Sequence, residues 1–121
     1  MDRRALGDGG ERLAQAFLQG QGLQTIARNV RFRFGEIDLV MREGEALVFV
    51  EVRLRGSGAR VDAATSVDRG KQRRLARAAS AWLAARPAMS TRPCRFDVVA
   101  LDGSDAEPQW IRDAFRLDDL A

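Results

Sequence analysis

The sequence predicts an α/β fold in the order helix, three strands, helix, then one or two strands. Three observations predict it. Two segments, "DGGERLAQAFLQGQG" and "RGKQRRLARAASAWLAARP", carry apolar residues at helical spacing. Two apolar runs, "GEIDLV" and "ALVFVEVRL", flank a short polar turn, and "CRFDVVAL" supplies a separate strand after the second helix. At 121 residues, 45% hydrophobic and 31% charged, the chain reads as one domain spanning 1–121 with enough apolar surface to bury a core.

Each element has a local reason. In the first helix Asp8 is a candidate cap, Leu13, Ala16 and Phe17 form the expected apolar stripe, and Gly20 and Gly22 end it. "LQTIARNVRFR" reads as a first strand with a polar break. The hairpin supplies two more strands. "RGSGARVDAATSVD" is a long small-residue connection; its G-x-G lacks the third glycine, Val61 standing there, so it is not a dinucleotide-binding turn. The second helix buries Leu75, Ala78, Ala79, Trp82 and Leu83 and stops at Pro87. "WIRDAFRL" fits either a short strand or a terminal helical turn.

Composition excludes several chemistries. The chain has no histidine and no tyrosine, which removes Ser-His-Asp and Cys-His catalysis and imidazole zinc sites. The single cysteine, Cys94, is expected to be a buried inert thiol and rules out an internal disulfide. A metal site must then be built from carboxylates, which suit a hard ion, Mg²⁺ or Mn²⁺. No apolar run is long enough to span a bilayer and the N-terminus has no secretory stretch, so a cytoplasmic protein without membrane contact is expected.

Charge is uneven. Residues 53–77 carry eight basic and two acidic side chains, whereas residues 97–121 carry two basic and seven acidic. The basic segment suits phosphate, although a solvated helix face gives the same pattern.

The hairpin concentrates the question of function. With Gly44-Glu45 as a two-residue type II′ loop, Val40 falls beside Phe49, Asp38 beside Glu51 and Glu36 beside Arg53. Glu36, Asp38 and Val40 then share one face, and Ile37, Leu39 and Met41 the other. Two carboxylates directly opposed repel, so one must hold a proton or a cation must sit between them. A salt-bridged patch neutralised by Arg53 and another arginine is the alternative.

"GEIDLV", a short turn and "VFVEVR" closely resemble the active-site hairpin of the PD-(D/E)XK nuclease superfamily, the restriction-endonuclease-like fold. The whole chain resembles the YraN family of bacterial proteins, through "GGERLAQAFL", "ARNVRFRFGEIDLV", "LVFVEVRLR", "KQRRLARAASAWL" and "RFDVVAL" in order. The resemblance implies a three-layer core with a mixed central sheet. It also implies an endonuclease-like protein that hydrolyses nucleic acid phosphodiesters, DNA in preference to RNA, with Mg²⁺ or Mn²⁺. Asp38 and Glu51 match the metal-binding acids and Val52 the residue whose carbonyl joins them. Glu36 is a further ligand candidate, and Glu11 matches a family glutamate, although it also suits a helix N-terminal turn. Arg53 stands where the motif expects lysine; it stays protonated and cannot act as a base. A catalytically silent nucleic-acid-binding module is therefore the alternative.

Arg55, Arg60, Lys71, Gln72, Arg73, Arg74 and Arg77 are the candidate phosphate contacts. Lys71 and Gln72 point to the edges of the buried stripe of the second helix and so toward the sheet, where Lys71 could replace the motif lysine; capping and snorkelling is the other reading. A two-fold homodimer is a common arrangement, but no interface is legible.

Overall fold

A strand hairpin buried on both faces needs a helix on each, and the computed structural model has that arrangement. It describes residues 3–54, 67–101 and 107–116; Arg55 and Arg60 lie outside them. The elements run α1 (Arg3–Gly20), β1 (Gln24–Phe32), β2 (Gly35–Glu43), β3 (Ala46–Leu54), α2 (Arg69–Ala84), a 3₁₀ turn (Pro87–Met89), β4 (Cys94–Leu101) and β5 (Gln109–Phe115). The five strands form one mixed sheet in sequence order, with β3 and β4 parallel and every other pair antiparallel. The ambiguous C-terminal segment is a strand. None of the described helices is long and apolar enough to cross a membrane.

Two apolar clusters fill the spaces between layers. α1 contributes Ala14 and Leu18 to one, against Leu39, Met41, Val48, Val50 and Val99. α2 contributes Leu75, Ala78, Ala79 and Trp82 to the other, against Val40, Leu47, Phe49, Phe96 and Val98. The α2 stripe is the expected one with Ala76 added and Leu83 at its margin. The α1 stripe is not. This helix begins at Arg3, so Asp8 lies within it rather than at its cap. Its buried positions are Gly10, Ala14 and Leu18, spaced by four, while Leu13 is 64% exposed and Ala16 is exposed.

The hairpin has the expected register near its turn. Glu43 pairs with Ala46 and Val40 with Phe49, and Gly44 takes φ 59° while Glu45 does not have positive φ, as a type II′ turn requires. The register does not continue to the charges. Pairing of β2 with β3 ends at Leu39 and Val50, so Asp38–Glu51 and Glu36–Arg53 are not ladder pairs. The strict face alternation fails as well, because Ile37 packs with Val40 under α2, apart from Leu39 and Met41. Across the strand, Asn29 of β1, with φ 51°, sits between the paired Arg28–Leu39 and Val30–Ile37, opposite Asp38. A left-handed residue interrupts the regular pleat of its own strand.

Gly35 positions α2. A Cβ there would lie 2.6 Å from the carbonyl oxygen of Arg74, on the backbone of the helix. Gly35→Ala is expected to push α2 off the hairpin and cost about 1–3 kcal/mol, read from the denaturant midpoint. An unchanged midpoint would show that the helix tolerates displacement.

Candidate active site

The acidic site forms where β2 and β3 part. Beyond Val50 the Val52 N–H has no partner on β2, and Asp38 Oδ2 accepts it at 2.8 Å. Glu51 lies on the α2 side of β3, beside Val98 of β4, and is 4% exposed. α2 then delivers Lys71, whose Nζ lies 3.1 Å from Glu51 Oε1; Arg53 Nη1 lies 3.7 Å from the same oxygen. Asp68 fixes the start of that helix by accepting the Lys71 N–H at 2.8 Å, which holds Lys71 in the first turn, above the carboxylates.

The electrostatics follow from burial. Desolvation first, and the neighbouring Asp38 charge second, push the Glu51 carboxyl up to about 7, against the pull of Lys71 and Arg53. Asp38 is also raised, chiefly by burial, while the Val52 N–H, Lys71 and a hydrogen bond from Glu51 favour its ionised form. When Glu51 holds its proton, the hydrogen bond between the two runs from Glu51 to Asp38.

The other candidates are dispersed. Glu36 is exposed at the rim, ion-paired with Arg31 at 3.6 Å, though its charge still reaches Asp38. With the amide of Asn29 oriented to satisfy both groups, Asn29 donates to Glu11 at 2.6 Å, so Glu11 braces the kinked residue opposite Asp38. Gln72 ties its side-chain amide back to the residue before the helix cap, donating to the Val67 carbonyl at 2.9 Å, rather than entering the site. Arg73, Arg74 and Arg77 are exposed, with Arg77 over the ring of Phe34 at 4.7 Å. Cys94 is exposed at the start of β4, not buried, and partial burial pushes its thiol up, away from a reactive thiolate. It lines a cavity of about 480 Å³ whose lining includes none of the acidic-site residues.

The residues fit a hard cation on donor chemistry. Glu51 is buried and Asp38 half-buried on adjacent strands, and a hard cation between them would relieve the repulsion that raises both carboxyls. Among the described residues no three acidic or cysteine side chains converge on one point, so such an ion would keep several waters, as Mg²⁺ commonly does.

Residues 10–101 match the profile of the uncharacterised protein family UPF0102. The chain is 56% identical over 115 residues to a UPF0102 protein of Halorhodospira halophila, covering 95% of this chain and 90% of that one. A UPF0102 protein of Xanthomonas campestris is 50% identical over 117 residues, with 97% and 96% covered. The chain belongs to UPF0102. This is the YraN family of the sequence resemblance, and the match to the UPF0102 profile takes in β2, β3 and α2, the elements that build the site. A UPF0102 protein of Serratia proteamaculans, 50% identical over 119 residues, extends the similarity over 98% of this chain.

Two features of this UPF0102 chain escaped the sequence. One is a charged network on the α1 side, where Glu43 accepts from Arg95 at 2.9 Å and from Arg112 at 2.9 and 3.0 Å, and buried Asp97 accepts from Trp110 Nε1 and the Asp113 N–H, each at 2.9 Å. It ties β5 to β4 across a register shift at Asp97, and only the large sequence separation of its members hid it. The other is Arg33, which occupies the β1–β2 turn and lines the same cleft as Lys71. The alternation "RFRFG" was its signal, masked by its resemblance to strand.

Proposed function

We propose that this protein is a metal-dependent nuclease-like enzyme of the PD-(D/E)XK type, acting on nucleic acid phosphodiesters, with DNA the preferred substrate. The observation that supports it is the meeting of half-buried Asp38, buried Glu51 and partly exposed Lys71 between β2, β3 and α2. Asp38 and Glu51 would hold Mg²⁺ or Mn²⁺, which when bound supplies Lewis-acid polarisation of a phosphodiester oxygen and a water of lowered pKa. Glu51 must release its proton to bind, so cation affinity rises with pH through about 7. Lys71, at ammonium–carboxylate distance from Glu51, takes the place of the motif lysine and can orient a nucleophilic water or steady charge on the phosphoryl oxygens. Arg53, with Nη1 3.7 Å from the same carboxylate oxygen, contributes positive charge.

The experiment is cleavage of linear, nicked and branched DNA, and of RNA, with Mn²⁺ at pH 8. Wild type is expected to cut at least one substrate, and Lys71→Met is expected to lose about 10²-fold or more in rate while still binding Mn²⁺. No cleavage of any substrate by a wild type that binds Mn²⁺ would contradict the catalytic reading. It would favour the second one, a silent nucleic-acid-binding module, which rests on Arg53 and on the ion pairing of Lys71 and Arg53 to Glu51.

A further inference from the structure

The β1–β2 turn and the first half of α2 enclose a cleft of about 280 Å³ that opens beside the acidic site. Lys71 belongs to both, lining the cleft while its Nζ contacts Glu51. Arg33 from the turn and Arg74 from the helix also line it. Both are exposed, and neither is ion-paired with any described residue. Among the described residues, the one acid lining the cleft, Glu36, is paired with Arg31.

The walls of this cleft are fixed. Gly35 lets the turn approach the Arg74 carbonyl more closely than any side-chain-bearing residue allows. Phe34 stacks on Phe32 with centroids 5.6 Å apart and planes within 4°, and Arg77 lies over Phe34 on its helix side. Arg77 thus braces the turn. Arg33 comes from the turn and Arg74 from the helix, so two guanidiniums with no ion-pair partner among the described residues can reach one phosphodiester group from either side.

We infer that this cleft is a backbone-phosphate subsite, in which Arg33 and Arg74 hold a phosphate of the nucleic acid strand and thereby lay the neighbouring phosphodiester over Asp38, Glu51 and Lys71. The inference rests on the nuclease-like reading and adds to it Arg33, a residue on the far strand turn, and a path for the strand. The contacts are to phosphate alone, so the subsite positions the strand without reading its sequence.

The test is fluorescence anisotropy of labelled single-stranded and duplex DNA and of single-stranded RNA, without divalent metal, across a salt series. The proteins are wild type, Arg33→Gln, Arg74→Gln and the control Arg12→Gln, on the exposed part of α1. All three positions are exposed, and circular dichroism checks that each variant keeps its fold. Arg33→Gln and Arg74→Gln are each expected to weaken binding roughly 5- to 10-fold near 0.1 M salt and to lower the salt slope by about one, with Arg12→Gln unchanged. Inorganic phosphate at millimolar concentration is expected to compete little, because the strand engages several phosphates. Wild-type-like binding by both variants would overturn the subsite and leave the nuclease-like reading standing. Absence of nucleic acid binding by wild type, with Mn²⁺ binding intact, would overturn the subsite and the nucleic-acid substrate together.

Discussion

Glu51→Gln is expected to stabilise the metal-free protein at pH 8 while removing its response to Mn²⁺. A carboxyl whose folded pKa lies above its unfolded value binds its proton more tightly when folded. The contribution of Glu51 is therefore fully present below about pH 4.5 and is lost as the pH rises through about 7. Above that the ionised pair opposes folding, by ~2 kcal/mol once sharing with Asp38 and Lys71 is allowed for. Glutamine keeps the shape and removes the charge, and Lys71, 30% exposed, can turn to water. A rise in melting temperature of roughly 5–10 °C at pH 8, and little change at pH 5, is the expected result. Added Mn²⁺ should raise the melting temperature of wild type only, because only its folded state gains a ligand. Glu43 works in the opposite direction and in another window. Hydrogen bonds from Arg95 and Arg112 hold it below the usual carboxylate range, so its contribution is lost as the pH falls through that lowered value. A Glu51→Gln protein less stable than wild type at pH 8 would show that Lys71 and Arg53 overcompensate the buried charge.

The second large effect lies in the core. Trp82 is 1% exposed, meets the ring of Phe49 edge-on at 6.0 Å and carries the Arg86 guanidinium 4.2 Å from its ring. It is the largest side chain joining α2 to the sheet, so Trp82→Ala is expected to cost ~3–5 kcal/mol and to free the helix that carries Lys71. Trp82→Phe should cost much less, within about 1.5 kcal/mol. The indole Nε1 has no hydrogen-bond partner among the described residues, and phenylalanine removes that buried donor together with the lost area. Urea unfolding of both variants checks the pair; equal losses would mean that indole packing, not the ring as such, carries the contact.

The parts of this fold legible in the sequence are those governed by apolar pairing. Val40 against Phe49, the type II′ turn at Gly44 and the α2 stripe all follow from burying hydrophobic side chains at the right period. The α1 stripe was misplaced because the helix starts at Arg3 and tight packing at Gly10, near Leu54 and Leu101, sets its phase. Neither cause has a local signature. Asp38 shows the same limit at the site. Its place beside Glu51 was legible, yet the means was not: a ladder pair was expected, whereas the β2–β3 pairing ends at Leu39 and Val50 and Asp38 accepts the Val52 N–H. The irregular β5, with Asp113 at φ 50° and a register shift beside it, stayed ambiguous for a related reason. Lys71 was legible because helix geometry alone aims it at the sheet from an N-terminus capped by Asp68.

The central claim is that Asp38 and Glu51 together form a divalent-cation site, and calorimetric titration of Mn²⁺ tests it most directly. Wild type is expected to bind saturably at pH 8 and at least about tenfold more weakly at pH 5.5, where Glu51 holds its proton. Folded Asp38→Ala and Glu51→Ala variants are expected to lose that binding. No binding by wild type at pH 8, with or without DNA and RNA, or equal binding by both variants, would contradict it.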